Sequence, residues 1–188
     1  MLNFPIQTND SAPEGSRATI AAVEKAWGFA PNLIRTFANS PAVLEGAWAL
    51  LTAFGKTRFT PAEQQLIALA ISVENECSYC AAAHSLMGKG AGLSDAELTA
   101  ARAGLMVMAP KHEALRRFAT VVTATRGNPT AKDIEAFLAA GYDQTHILEV
   151  ILGVATKTLM NYTDHIARVQ LDDAFKATAW QADLKKAA

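Results

Sequence analysis

The residues with the clearest chemical potential are two cysteines and a histidine in one short segment, Cys77-x-x-Cys80-x-x-x-His84. On a helix each residue advances about 100°, so the three side chains fall on one face, with Cys80 and His84 as surface neighbours. If Cys77 lies at the helix N-terminus, the sulfurs can approach disulfide distance, and the free N–H groups there lower thiol pKa. An imidazole that removes the proton of Cys80 leaves a thiolate, the nucleophile of peroxide reduction and thiol exchange. The pattern therefore predicts a redox-active dithiol.

Two other interpretations of the same residues stay open at this point. The cysteines could form half of a zinc site, with His84 as third ligand and His112, His146 or His165 as fourth, although the spacing of structural zinc sites is not met. They could also be buried and unreactive, because free cysteine is among the most buried residue types. The combination of both cysteines with His84 at helical spacing favours redox chemistry over either alternative.

The elements that would position this motif are helices. Alanine, the strongest helix former, accounts for 38 of the 188 residues, and no β-branched run alternates with period two. Thr60 with Glu63, and Ser94 with Glu97, have the spacing of a capping box at a helix start. We therefore predict an all-α fold. The predicted helices are 16–27, 31–38, 41–54, 61–74, 76–88, 94–103, 110–125, 131–139, 143–160 and 162–180.

A weak internal repeat runs along the chain. Residues 65–84 superpose on residues 146–165 with nearly all apolar positions matched, at an offset of 81 residues. A true duplication would divide the single domain, 1–188, into a cysteine-bearing half at about 16–105 and a degenerate half at about 106–180. In that case we expect the chemistry in the first half and packing alone in the second.

Composition excludes several classes of protein. Seventeen Lys and Arg against eighteen Asp and Glu leave a net charge of −1, without the positive excess that nucleic-acid or anionic-membrane binders need. A hydrophobic content of 51% excludes intrinsic disorder and favours self-association. Two cysteines are too few for a secreted disulfide scaffold, and neither a secretory signal nor an apolar run of membrane-spanning length is visible. We expect a cytoplasmic homo-oligomer.

Beyond this motif, the chain resembles the AhpD-like alkylhydroperoxidases of the carboxymuconolactone decarboxylase superfamily, and its peroxidase-related members most of all. The resemblance covers roughly residues 25–170. It is carried by residues 27–33 (WGFAPNL), 66–72 (LIALAIS), the Cys77-x-x-Cys80-x-x-x-His84 motif, 126–127 (RG), 140–142 (AGY) and 161–165 (NYTDH).

The resemblance implies an AhpD-like helical bundle, a homo-oligomer (dimer, trimer or hexamer) and peroxide reduction through the cysteine pair. Cys80 would attack the peroxide, Cys77 would resolve the sulfenic acid to a Cys77–Cys80 disulfide, and His84 would relay the proton. No cofactor or metal is implied beyond that disulfide. The implied partners are a small peroxide and an external reductant, either a dithiol protein or a small thiol.

Two positions depart from the family pattern. The relay glutamate of the family, twelve residues before the first cysteine, is here Gln65, which cannot accept a proton, so either Glu63 or another carboxylate substitutes or the peroxidase activity is weak. The histidine that precedes the second cysteine in AhpD enzymes is here Tyr79. On one unbroken helix Gln65 would also lie ~18 Å from Cys77. The relay therefore needs a turn between Ser72 and Cys77, or a group from another helix.

From these observations we predict a thiol-dependent peroxidase or disulfide oxidoreductase that acts on hydrogen peroxide or small organic hydroperoxides, with Cys80, Cys77, His84 and Gln65 at the site. Two alternatives belong to other classes. One is a decarboxylase-like lyase in which the cysteines are incidental, and the other is a non-catalytic redox sensor whose assembly changes on oxidation.

Overall fold

The structure of this chain, a computed structural model, describes residues 4–181. Within that range it consists of nine α-helices and one 3₁₀-helix, without a β-strand, so the predicted all-α fold is confirmed. The elements are α1 (Glu14–Trp27), α2 (Asn32–Phe37), α3 (Pro41–Phe54), α4 (Pro61–Glu74), α5 (Ser78–Gly90), α6 (Asp95–Arg102), α7 (Pro110–Ala124), α8 (Ala131–Ala139), α9 (Gln144–Ala167) and the 3₁₀-helix Asp173–Thr178. None of the helices in this range is both long and apolar enough to cross a membrane.

The predicted capping boxes are present at the starts of α4 and α6. Thr60 Oγ1 accepts a hydrogen bond from the Glu63 N–H at 3.2 Å, and Glu63 Oε2 accepts one from the Thr60 N–H at 2.9 Å. Glu63 also accepts a hydrogen bond from the Tyr142 hydroxyl at 2.8 Å, and its side chain is almost fully buried. The Glu63 carboxylate is therefore engaged in holding the start of α4, where it satisfies an orphan backbone donor.

The last third of the chain differs from the prediction. Instead of helices at 143–160 and 162–180, α9 runs unbroken to Ala167 and ends at Arg168, whose φ is 51°. Asn161 does not stop the helix because its buried amide is used in packing: it accepts a hydrogen bond from Asn75 at 3.0 Å and donates one to Ser72 at 3.4 Å. The residues after Arg168 are extended up to the 3₁₀-helix, so the predicted helix 162–180 is wrong beyond Ala167.

Helix α4 lies at the centre of the bundle and packs against α5, α7 and α9. Its side chains are buried around the whole circumference, as expected for a helix whose interior residues are apolar on every face. The fully buried members are Leu66, Ile67, Leu69 and Ile71. Because α4 is enclosed on all sides, it forms the rigid support on which α5 and α9 are held next to each other.

One face of α9 points away from this core. Leu148, Ile151, Tyr162 and Ile166 are all exposed, and their spacing places them along one side of the helix. Large exposed apolar side chains on one face of a helix are typical of surfaces that associate. The expected homo-oligomer stays a prediction.

Helix α9 packs tightly against side chains of α3 and α4 at Gly153. A methyl group there would meet a ring carbon of Phe54 at 2.9 Å and a methyl carbon of Ile67 at 3.0 Å. We therefore expect Gly153→Ala to lower the free energy of unfolding by about 1–3 kcal/mol, the usual cost of overpacking a core. Gly46→Ala on α3 is the matched control, because a methyl there meets nothing within 4 Å and should stabilise by about 0.5–1 kcal/mol. Urea unfolding of both variants measures the difference, and equal stabilities would contradict this packing.

Candidate functional site

The cysteine pair lies at the start of α5, immediately after a sharp turn. Helix α4 ends at Glu74, and Glu76 adopts a left-handed backbone conformation with φ of 56°, which reverses the chain. Cys77 is the N-cap of α5, where its sulfur accepts a hydrogen bond from the backbone N–H of Cys80 at 3.4 Å. The turn that the family relay requires is therefore present between Ser72 and Cys77. It brings α5 back alongside α4, so that residues near both ends of the segment 65–84 meet.

Both sulfurs are buried, but they have different neighbours. The side chain of Cys77 is inaccessible, and its Sγ donates to Asp164 Oδ2 at 3.3 Å. Cys80, which is 2% exposed, lies beside the ammonium group of Lys157. Lys157 and Asp164 both belong to α9 and are seven residues apart, two turns on the same face of the helix. One helix thus places a positive charge at one sulfur and a carboxyl group at the other.

These neighbours divide the two thiols into an acidic and a non-acidic partner. A hydrogen bond from the Cys77 thiol lowers the pKa of Cys80 to about 6, aided by the charge and hydrogen bond of Lys157 and opposed by burial. The pKa of Cys77 is raised by its hydrogen bond with Cys80, by burial and by the negative charges of Cys80 and Asp164. The single proton of the Cys77 thiol has both Cys80 and Asp164 within reach, and it is donated to one of them at a time. Near neutral pH the site therefore carries a thiolate at Cys80 and a thiol at Cys77.

Asp164 is held in place for its contact with Cys77. Burial raises the pKa of its carboxyl group, while hydrogen bonds from the Cys77 thiol and from the backbone N–H groups of Val169 and Tyr79 act in the opposite direction. A carboxylate in this position is a proton acceptor within hydrogen-bonding distance of Cys77. Asp164 does not take the place of the missing relay glutamate, because that position, Gln65, contacts His84 instead.

His84 lies between Gln65 and Lys157. Its Nδ1 is 2.8 Å from Gln65 Oε1, and its Nε2 is 2.8 Å from Lys157 Nζ. Because the amide oxygen can only accept, the imidazole proton is on Nδ1 and Nε2 accepts from the ammonium group. Burial, together with the charge of Lys157, lowers the pKa of His84 well below its ordinary value. His84 is therefore neutral, and Lys157 rather than His84 provides the charge next to Cys80.

The sequence interpretation missed Lys157 and Asp164. The available signal was an isolated lysine in the apolar stretch of α9, buried to 2% exposure in the structure. The expectation that the second half contributes only packing is therefore wrong. The dithiol comes from the first half of the chain, and the charged groups that act on it come from the second.

Tyr79 has a structural role. Its hydroxyl donates to Asp172, whose carboxylate also accepts the backbone N–H of Asn32 at 3.1 Å. Burial, with the hydrogen bond to Asp172, raises the pKa of Tyr79. These bonds fix the segment 168–180, here called the C-terminal strap, and Thr178 adds a hydrogen bond to the carbonyl of Ala82 at 2.8 Å. Tyr79 thus ties the strap to the cysteine helix.

A cavity of about 510 Å³ opens onto Cys80 beneath this strap. Lys157 and His84 also line it, whereas Cys77 does not. The remainder of the wall is largely apolar. Its bulky side chains include Trp27, Phe29, Leu51, Phe54, Met160 and Phe175. The cavity can therefore hold an apolar small molecule against the acidic cysteine.

Residues 4–181 contain no ligand set for the zinc site that the sequence left open. Within this range no three His, Cys, Asp or Glu side chains come together in a metal-binding arrangement. His112 is paired with Glu97 at 2.6 Å, and His146 with Asp143 at 2.9 Å. His84 is occupied by Gln65 and Lys157, so these histidines serve separate contacts.

The fold and the motif have known relatives. A family model described as the carboxymuconolactone decarboxylase family matches residues 41–123, which contain the cysteine motif. No curated protein matches the chain. Among solved structures, the AhpD core of an uncharacterized peroxidase-related protein from Ralstonia eutropha JMP134 is similar, with a TM-score of 0.82 and 22% identity over 92% of this chain and 93% of that one.

Two further structures share the fold. A variant of the debrominase Bmp8 in complex with 2,3,4-tribromopyrrole superposes with a TM-score of 0.79 and 18% identity, covering 95% of each chain. An uncharacterized peroxidase-related protein from Silicibacter sp. TM1040 superposes with a TM-score of 0.77 and 16% identity, covering 93% of this chain and 92% of that chain. Residues 41–123, with the cysteine motif, thus match the carboxymuconolactone decarboxylase family, and the chain shares its all-helical fold with the AhpD core over 92% of its length.

Proposed function

We propose that this protein is a thiol-dependent peroxidase that reduces hydroperoxides, organic ones in preference to hydrogen peroxide, through the Cys77–Cys80 pair. The observation that carries the proposal is the division of the pair, with Cys80 facing the cavity next to Lys157 and Cys77 outside the cavity next to Asp164. A thiolate that faces a cavity and a second thiol beside it are the two groups that such a cycle needs.

In the first step the Cys80 thiolate attacks the distal oxygen of the peroxide bond. The S–O bond forms, the O–O bond breaks, and the leaving alkoxide takes a proton, giving a sulfenic acid at Cys80 and an alcohol. Lys157 is placed to donate that proton, since its ammonium group faces the cavity beside the reacting sulfur. His84 holds Lys157 in position, since its Nε2 accepts a hydrogen bond from the ammonium group.

In the second step Cys77 attacks the sulfenic sulfur. Its proton passes to Asp164, the S–S bond forms, and hydroxide leaves with a proton as water. The hydrogen bond between Cys77 and Asp164, at 3.3 Å, supports this role for the carboxylate. The two sulfurs have together supplied two electrons, so an external thiol must reduce the disulfide before the next cycle. A reducing compartment such as the cytoplasm suits thiols that must return to this state.

The test is consumption of cumene hydroperoxide and of hydrogen peroxide by the wild-type protein with dithiothreitol. We expect turnover of both, and faster turnover of cumene hydroperoxide, because its aromatic ring matches the apolar wall of the cavity. Protein whose thiols have been alkylated with iodoacetamide is the control. Equal peroxide consumption by wild-type and alkylated protein would contradict the proposal.

A second candidate function is reductive dehalogenation of a small aromatic compound. The aromatic lining of the cavity favours it, and the structurally similar Bmp8 is a debrominase. In this reaction Cys80 would take bromine from carbon while the ring carbon gains a proton, and Cys77 would then displace bromide to form the same disulfide. Release of bromide from 2,3,4-tribromopyrrole with dithiothreitol, without peroxide consumption, would favour this function over the first.

The two alternatives from the sequence are less well supported. In a lyase with incidental cysteines, no role would remain for the contacts of both sulfurs with charged groups on α9. A redox sensor would use the same dithiol, but it would not need a cavity that admits small molecules to Cys80.

A further inference from the structure

The burial of the cysteine pair restricts what can reduce it. Cys77 is inaccessible and Cys80 is 2% exposed, so neither sulfur reaches the surface of the protein. Of the two, Cys80 lines the cavity and Cys77 does not. Thiol–disulfide exchange begins when a thiolate attacks one sulfur of the disulfide and expels the other. In this structure the attacked sulfur is therefore Cys80, and the expelled one is Cys77.

The surroundings of the two sulfurs suit this direction of attack. Among the described residues that line the cavity, Lys157 carries the only net charge, and it attracts an incoming thiolate toward Cys80. On the other side, Asp164 lies against Cys77, within hydrogen-bonding distance, and can supply a proton to the expelled thiolate. The same two residues thus serve oxidation and reduction of the pair.

The entrance excludes a large reductant. Ala174 of the C-terminal strap is exposed and also lines the cavity, so it lies at the mouth. Phe175 and Phe29 line the cavity too, and the Phe175 ring contacts the rings of Phe29 and Tyr79. A redox protein presents its sulfur at its own surface, and its backbone cannot follow that sulfur into a cavity of about 510 Å³. A small molecule with an apolar body and one thiol group fits both the size and the lining.

We propose that the physiological reductant is a low-molecular-weight apolar thiol that enters this cavity, not the surface dithiol of a redox protein; this inference rests on the proposed function. The thiolate attacks Cys80 Sγ, and Cys77 leaves and takes a proton, so that a mixed disulfide remains on Cys80. A second thiolate attacks the small-molecule sulfur of that mixed disulfide and releases the Cys80 thiolate. The net reaction converts one protein disulfide and two small thiols into the protein dithiol and one small disulfide.

The experiment begins with the full chain oxidised by diamide, so that it does not depend on peroxide turnover. Its reduction by benzyl mercaptan, 2-mercaptoethanol or reduced thioredoxin is followed by acid quenching and intact mass. At equal thiolate concentration we expect benzyl mercaptan to react about 10-fold faster than 2-mercaptoethanol, because its ring is buried in the cavity. Thioredoxin should be slower than benzyl mercaptan. Faster reduction by thioredoxin than by both small thiols would overturn the inference.

A pair of variants on the C-terminal strap tests the route itself. Ala174 and Ala177 are both exposed on the 3₁₀-helix, and Ala174 lines the cavity whereas Ala177 does not. Ala174→Trp should slow reduction by benzyl mercaptan about 10-fold or more by obstructing the entrance, and Ala177→Trp should leave the rate unchanged. Equal rates in the two variants would mean that the thiol does not enter through this cavity.

The outcomes separate this inference from the proposed function. If diamide forms no Cys77–Cys80 bridge, the disulfide cycle is wrong and the inference falls with it. If the bridge forms, and thioredoxin reduces it faster than the small thiols do, the peroxidase proposal stands and only the small-thiol reductant is wrong.

Discussion

Cys80→Ser should abolish peroxide reduction, with a loss of about 10³-fold or more, whereas Cys77→Ser should retain a single turnover per chain. The reason is the division of roles between the sulfurs. Cys80 faces the cavity and is the thiolate. The serine hydroxyl that replaces it is not ionised near neutral pH and does not attack the peroxide. Cys77 acts only after the peroxide bond is broken, so its loss leaves the first step intact and stops the cycle at the sulfenic acid.

Intact mass distinguishes the two variants. After one equivalent of cumene hydroperoxide, Cys77→Ser should gain one oxygen atom, about 16 Da, and Cys80→Ser should remain unchanged. The wild-type protein is the reference, and it should lose two hydrogen atoms, about 2 Da, as the disulfide forms. If Cys80→Ser consumes peroxide at the wild-type rate, or if Cys77→Ser fails to gain oxygen while Cys80→Ser does, the roles of the two cysteines have been assigned in the wrong order.

The parts of the site that depend on short-range sequence patterns were predictable. Thr60 and Ser94 begin helices because their side chains cap backbone N–H groups three residues away, and that chemistry is complete within a few residues. The need for a turn before Cys77, or for a group from another helix, followed from the rise per residue of a helix together with the relay position that the family resemblance implies. The all-α fold followed from the abundance of alanine and the placement of the caps.

The features that the sequence did not predict depend on contacts between distant segments of the chain. The predicted helices 143–160 and 162–180 left Asn161 between them, but its partners Ser72 and Asn75, more than 80 residues away, make it a packing residue inside α9. Tyr79 looked like a lost catalytic histidine until its partner Asp172, 93 residues away, gave it a structural role. The partners of Asn161 and Tyr79 cannot be identified from local spacing, because short-range sequence patterns do not specify which distant segments come into contact.

Lys157 is likewise a site residue that local sequence patterns did not reveal. Replacing it should change the reactivity of Cys80 strongly. Lys157→Met keeps most of the side-chain volume and removes the charge beside Cys80. We expect the pKa of Cys80 to rise from about 6 toward the ordinary thiol range, because the charge and hydrogen bond of Lys157 help to lower it. Near pH 7 the thiolate fraction then falls, and alkylation of Cys80 by iodoacetamide should slow about 10-fold or more.

The pH profile separates this electrostatic effect from damage to the site. A thiol loses its proton as pH rises, so the wild-type alkylation rate should increase through about pH 6 and then level off. In Lys157→Met the same rise should occur at higher pH, and the two rates should converge once both thiols are ionised. Lys132→Met, at an exposed position on α8, is the control and should follow the wild-type profile. A folded Lys157→Met protein with an unshifted profile would show that α9 does not activate the thiolate, and the cysteine pair would then have to be activated from its own helix alone.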